Sequence, residues 1–308
     1  TNWDFETILV NNYCKLISNL PIKYIEIGYR NFEKNSYFGQ FYYSPIDRIK
    51  NIKSKLNESQ KISLMLNAKD YTIVDISQIF SKCNDIVDLV RIATVPEQIE
   101  HSLKIAKTLK SLGFEVGVNI MHLSKIDENH DIYNKIGGIE AYVDYLYLVD
   151  SYGSVYPDEL EKIIKLFREK CNAVLGFHGH NNMELAFINS LRAIDCGVKI
   201  IVSTVLGMGR GAGNLKLELL LIHLKSKKYL DVDLNILSQL VEQFNPLMNK
   251  YKWGLSFPYM VSGSYSLPQK DVMNAIEIDR YSIASIVSTM SSDTLNPLQI
   301  FRYEPVVE

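Results

Sequence analysis

Short apolar runs alternate with longer amphipathic stretches over the first two thirds of the chain. The runs lie at 23–29 (KYIEIGY), 61–67 (KISLMLN), 88–94 (DLVRIAT), 114–121 (FEVGVNIM), 143–150 (VDYLYLVD), 173–178 (AVLGFH) and 198–204 (VKIIVST). They are rich in β-branched and aromatic residues and apolar on both faces, which predicts strands covered on both sides. Their starts lie roughly 25–40 residues apart, enough for a strand, a helix and two loops. Between them, residues 96–113 show helical spacing, with Pro96 in the first turn and Gly113 as a stop. Residues 157–170 repeat the design, with acids in the first turn and Arg168 and Lys170 in the last, where a helix dipole favours them. A third such stretch, 183–197, ends on Gly197.

Strands alternating with helices imply a parallel sheet wrapped by helices, and the predicted fold class is α/β, a TIM (β/α)8 barrel. Seven strands are readable where eight would close the barrel. Residues 1–20 read as a helix feeding the first of the seven, so an eighth strand is expected before Thr1. A chain that starts at a helix cap without Met reads as clipped. The strand rhythm stops near residue 225. Beyond it, 232–251 and 268–290 read as amphipathic helices, and 252–268 as an aromatic loop punctuated by Gly, Pro and Ser. The expected organisation is a barrel over 1–225 and a helical extension over 226–308, covering the barrel mouth or forming a dimer surface.

Composition narrows the function classes. The 308 residues are 47% hydrophobic and 22% charged, enough to bury a large core. A formal net charge of −2 offers no basic surface for nucleic acid. No apolar run approaches the roughly 18 residues that cross a bilayer, and the N-terminus is no signal peptide, so a cytoplasmic protein without a membrane partner is expected. Cys14, Cys83, Cys171 and Cys196 are widely spaced with no CxxC, which suits reduced core thiols.

The candidate chemistry sits at the strand ends, where such barrels keep their active sites. Read in order they carry Glu26 and Arg30, Asn67 and Lys69, Arg91 and Thr94, Asn119 and His122, Asp150 and Ser151, His178 and His180, and Ser203 and Thr204. The strand starts carry no matching set. The sharpest feature is GFHGHNN, 176–182. In an extended segment residues i and i+2 point the same way, so His178 and His180 can face one metal ion. The alternative is one packed and one solvated histidine. The second feature is STVLGMGRGAGN, 203–214, whose four glycines allow close backbone approach to a ligand. It is neither a dinucleotide fingerprint nor a P-loop, because Ala212 occupies the last glycine position and no GK[ST] follows. Asn214 is a candidate helix cap, oxygen ligand or both.

HGHNN followed about 25 residues later by GMGRGAGN, with VDSYG upstream, resembles the metal-dependent aldolase and acyl-transferase barrels of the hydroxymethylglutaryl-CoA lyase type. Within that superfamily, the TNWDF start and YIEIGYR strand are similar to a bacterial group like the 4-hydroxy-2-oxovalerate aldolases. The resemblance covers roughly residues 1–225. It implies His178, His180 and Asn214 as ligands of a divalent metal, Mn²⁺ or Mg²⁺ with Zn²⁺ as an alternative, and Ser151 near the substrate. Asn119, Thr204 and Arg210 join it as substrate-binding candidates, Arg210 suiting a carboxylate or phosphate on an acceptor. Glu26, Arg91 and Tyr259 are the candidates for catalysis, and Glu26 has the alternative of pairing with Arg91.

Two departures stand out. The family's first strand ends in an Arg-Asp pair that stabilises the enolate and binds the metal, and that strand would precede Thr1. The catalytic His that the oxovalerate aldolases place just after it has no counterpart at the start of this chain. The implied function is a metal-dependent aldolase, a carbon–carbon lyase working through a metal-stabilised enolate of a 2-oxo acid such as pyruvate, with an unidentified aldehyde and a homodimeric assembly. The alternatives are an acyl-CoA Claisen-type enzyme of the same superfamily and a non-catalytic metal-binding barrel.

Overall fold

A computed structural model describes residues 1–278 and 280–291. The part of the extension at 292–308 lies outside the described residues. Seven strands form one sheet in chain order: β1 (Tyr24–Tyr29), β2 (Lys61–Asn67), β3 (Leu89–Thr94), β4 (Glu115–Ile120), β5 (Tyr145–Asp150), β6 (Val174–Gly179) and β7 (Ile200–Val202). Every neighbouring pair is parallel. The sheet is curled. In a flat one, β1 and β5 would lie roughly 19 Å apart, yet the hydroxyls of Tyr24 and Tyr145 meet at 2.8 Å. The curl brings the C-terminal ends of the strands around one mouth, as in an α/β barrel.

Ile62, Leu64 and Leu66 of β2, Val90 and Ile92 of β3 and Val116 and Val118 of β4 are fully buried and join the main core cluster. Helices α1 (Thr7–Ile17), α2 (Ile99–Ser111), α3 (Pro157–Lys170) and α4 (Ala186–Asp195) add their apolar stripes to it, through Val10, Ile105, Ile164 and Ala193 among others. The opposite face of the strands differs from the expected two-sided apolar fill. Arg91, Asn119 and Tyr147 occupy the interior, hydrogen-bonded or packed on one another, and Ser63 is buried there with its hydroxyl unpartnered. Room for the Tyr147 ring comes from glycines on both neighbouring strands. A Cβ at Gly117 would lie 2.8 Å from it, and one at Gly176 2.4 Å.

Strands β1 and β7 are the sheet edges, and no described strand joins them. A cavity of about 910 Å³ lies along this seam, lined by Tyr24, Glu26 and Ile27 on one side and Ile200, Ile201 and Val202 on the other. All three β7 residues are half-buried, whereas every residue of β3 is buried. The outer wall of the seam is α1 with α5 (Leu217–Ser226) and α6 (Leu234–Tyr251), joined through Ile17, Leu217, Leu221, Leu240 and Phe244.

Past α6 the chain turns over the strand ends. Trp253 Nε1 donates to the Leu206 carbonyl at 3.0 Å, and the Gly254 amide to that of Gly211 at 3.0 Å. The stretch read from sequence as loop contains a helix, α7 (Phe257–Ser264), which begins with Pro258 in its first turn. Pro there costs no helical hydrogen bond, so the loop-like composition conceals a helix start. Helix α8 (Gln269–Glu277) follows. The Asn182 amide donates to the Tyr259 carbonyl and to Ser262 Oγ, both at 3.2 Å, and Ser266 Oγ donates to Ser154 Oγ at 3.0 Å. Residues 253–269 therefore cap the mouth.

Candidate active site

His178 lies within β6 and His180 one residue beyond its end. Their rings are 4.9 Å apart and perpendicular, on the same side of the strand, as two-residue spacing requires. His180 Nδ1 lies 2.8 Å from the Asp150 carbonyl oxygen. A carbonyl only accepts, so Nδ1 carries the proton and Nε2 keeps its lone pair. His178 Nδ1 is buried without a partner. Burial, with His180 and Arg91 nearby, holds His178 well below the usual imidazole range. Burial also pushes His180 down to about 4, against the pull of the Asp150 carbonyl and with help from Arg210. Both rings are neutral at neutral pH, the form that binds metals.

Asn214 faces this pair. It forms an antiparallel bridge with His180, and its amide nitrogen donates to the Met208 carbonyl at 3.0 Å. Its Oδ1 is buried and unpartnered. The glycine loop is shaped around this carboxamide. A Cβ at Gly209 would meet its Nδ2 at 2.7 Å, and one at Gly213 (φ +79°) would meet the Gly207 carbonyl oxygen at 2.4 Å. Asn214 does not cap a helix: α5 has Lys216 at its N-cap. Two imidazoles and one carboxamide suit a divalent cation in type. Among the described residues no group of three or more His, Cys, Asp or Glu is arranged to hold a metal.

Deeper in the barrel, Arg91 Nη1 donates to Glu26 Oε2 at 2.7 Å and its Nε to Asn119 Oδ1 at 3.3 Å. Its guanidinium stacks 4.2 Å above the Tyr147 ring. Arg91 is 4% exposed while the Glu26 side chain keeps 32%, so the pair is anchored at the arginine and open at the carboxylate. The seam cavity includes Glu26, Arg91 and Thr204 but none of His178, His180 and Asn214. It adjoins the candidate site rather than constituting it.

The remaining strand-end residues divide. Thr204 Oγ1 is buried and unpartnered beside the glycine loop. Arg210 is exposed, with its charge acting on His180. Tyr259 lies against the loop, 3.2 Å from where a Gly211 Cβ would stand. Ser151 Oγ accepts from the His122 amide at 2.9 Å, so it orders the mouth. The Asp150 carboxylate, pushed up to about 6 by burial, accepts from the Ser154 and Val155 amides and shapes the turn after β5. Arg30 turns away and donates to the Ile79 and Ser44 carbonyls at 2.9 and 2.6 Å.

Two residues at the mouth escaped sequence reasoning. Gln269, from α8, donates to Asn182 Oδ1 at 2.7 Å while its own Oε1 is buried and unpartnered. Nothing in a helix start signals that it reaches the barrel. Tyr29 sits at the end of β1, where period-two alternation from Glu26 would turn it outward. The strand starts also differ from expectation. Glu115 accepts from Lys61 and, at 2.6 Å, from Tyr24, which also meets Tyr145. Their four strands place them far apart in sequence, so no motif announces the cluster.

Comparison with known proteins agrees with this geometry. The HMGL-like family model matches residues 66–243. The 4-hydroxy-2-oxovalerate aldolase of Bacillus thuringiensis is 30% identical over 235 residues, 74% of this chain and 67% of that relative. The oxaloacetate decarboxylase of Mycobacterium tuberculosis is 30% identical over 148 residues, 47% of this chain and 44% of that relative, so the chain spans under half of its length. Among solved structures, the N-terminal domain of a candidate aldolase from Bacteroides vulgatus superposes with a TM-score of 0.88 at 41% identity, covering 93% of this chain and 94% of that one.

Proposed function

The chain belongs to the HMGL-like family and is an enzyme of the lyase class, and we propose that it is a divalent-metal-dependent aldolase acting on a 2-oxo acid such as pyruvate with an aldehyde partner. The observation that supports this most is three neighbouring ligand-type groups with spare atoms: His178 with Nδ1 unpartnered, Asn214 with Oδ1 unpartnered, and His180 with its Nε2 lone pair left by the Nδ1 hydrogen bond. Buried polar atoms normally have partners, so a cluster without them suits a ligand. His178, His180 and Asn214 would hold Mn²⁺ or Mg²⁺, and the cation supplies a Lewis acid for the 2-oxo group.

The other residues position and polarise. Asp150 fixes the His180 tautomer through its backbone carbonyl. Arg91, held by Glu26, Asn119 and Tyr147, presents a fixed positive charge toward the cavity, suited to a carboxylate or a developing oxyanion. Ser151 and Thr204 line the substrate's seat. Arg210, exposed at the rim, suits an anionic group on the acceptor, and Tyr259 forms its far wall. The cap of residues 253–269 excludes water from the mouth.

The test is metal content together with pyruvate C3–H exchange in deuterated buffer, on the full-length protein and on His178→Ala. The expected result is exchange that requires Mn²⁺ or Mg²⁺ and disappears with His178. Stoichiometric metal without exchange would redirect the assignment to acyl-CoA substrates or to metal binding alone. Absence of metal affinity would refute it.

A further inference from the structure

Strand β1 is irregular where it reaches the mouth. Its pairing with β2 runs Tyr24 to Lys61, Ile25 to Ile62 and Glu26 to Ser63, skips Ile27, and resumes with Gly28 opposite Leu64 and Tyr29 opposite Met65. Such a bulge changes which side chains face inward. Unbroken alternation from Glu26 would turn Gly28 and Arg30 inward and Tyr29 outward. With the bulge, Tyr29 is level with Met65 and through it with Arg91, on the interior face that carries Ser63 and Glu26. Arg30 confirms the switch independently, since it hydrogen-bonds the Ile79 carbonyl of the outer layer. The bulge also depends on Gly28, at φ +147°, where any Cβ would lie 2.0 Å from the Phe41 carbonyl oxygen.

The half-buried Tyr29 ring is held by Trp3, edge-on at 5.8 Å, and by Tyr42 at 6.2 Å. Burial first and Glu26 second raise its pKa, while Arg210 and Arg91 pull it back, so the resting residue is a phenol. The same two guanidinium groups act on the histidines, Arg91 on His178 and Arg210 on His180. Tyr29 thus lies on the interior face of β1, level with Arg91, and the same two guanidinium groups act on it and on the candidate metal ligands.

We infer that Tyr29 exchanges a proton with the aldehyde-derived oxygen during the carbon–carbon step, an assignment that rests on the aldolase reading above. In condensation, C3 of the 2-oxo acid's enolate attacks the aldehyde carbon. The carbonyl π pair moves onto oxygen, which takes the proton from Tyr29 Oη. The resulting phenolate lies near Arg91 and Arg210 and regains a proton from water. In cleavage Tyr29 first gives its proton to water, the phenolate so formed takes the 4-hydroxyl proton, the freed O–H pair forms the aldehyde C=O, and the C3–C4 pair returns to the enolate.

Oxaloacetate separates this role from a structural one, because decarboxylation leads to the same enolate with no hydroxyl proton to move. Full-length wild type, Tyr29→Phe and Tyr259→Phe are compared, with Mn²⁺, in retro-aldol cleavage of a 4-hydroxy-2-oxo acid and in oxaloacetate decarboxylation. Phe keeps the ring contacts, and remaining decarboxylation reports an intact site. In Tyr29→Phe the ratio of cleavage to decarboxylation should fall by about 10²–10⁴-fold, the usual worth of a general acid–base group. Equal loss of both reactions would make Tyr29 merely structural. Unchanged cleavage in Tyr29→Phe, with loss in Tyr259→Phe or without it, overturns the inference. A wild type that performs neither reaction overturns the aldolase reading itself.

Discussion

At the strand starts, Lys61 and Tyr24 share the two oxygens of Glu115, and Tyr24 also meets Tyr145. At the strand ends, His178 Nδ1, Thr204 Oγ1, Asn214 Oδ1 and Gln269 Oε1 are buried with no partner. The lower cluster draws on four strands, the upper one on β6, the glycine loop and α8. The lower one is closed: its members satisfy one another, which rigidifies that end and stabilises the curl that brings β1 to β5. The upper one is open, and each unmet group costs about 1–3 kcal/mol until something fills it. Polar residue types alone do not tell these two clusters apart; the presence or absence of partners does.

The sharpest way to break the contrast is to damage the open end while sparing the fold. Gly209→Ala would press a methyl against the Asn214 carboxamide, at 2.7–2.8 Å from its atoms. Gly209 does not have a left-handed backbone, so the substitution adds no strain of its own. Affinity for Mn²⁺, read by calorimetry, should fall by about 10–100-fold, the scale of a disturbed ligand orientation. The melting temperature of the apoprotein should hardly move.

The converse change belongs to the closed end. Tyr24→Phe removes one donor to Glu115 and one contact with Tyr145. Denaturant unfolding should show a loss of about 1–2 kcal/mol, with Mn²⁺ affinity and pyruvate exchange as in wild type. A variant that kept its stability but lost exchange would reverse the assignment of the two ends.

The smallest effect is an expected constancy. Burial lowers both imidazoles, His180 to about 4. The cation needs neutral rings, so protons compete only as pH falls toward those lowered values. Mn²⁺ affinity should therefore hold between about pH 7 and pH 5, where a pair with the ordinary imidazole value near 6.5 would already be losing it. A steep loss over that interval would show the rings to be solvated.

Much of this was legible in the chain itself. The seven strands and the HxH spacing depend on local pattern, and local pattern survives folding because pleat and helix periods are geometric constants. Composition misled at 257–264, where Pro, Gly and Ser suggested loop and a helix forms. Parity alone would turn Tyr29 outward, because one inserted residue reverses the inward face and leaves no compositional trace.

The sequence by itself determined the parallel barrel architecture, the polar character of the strand ends and the two histidines that face one way. Only the tertiary structure decided which polar groups find partners. Glu115 meets Lys61 and Tyr24 from strands 54 and 91 residues away, and Gln269 reaches Asn182 across 87. Such pairings depend on the curl of the whole sheet and the path of the cap, quantities to which every element contributes and which no short stretch encodes.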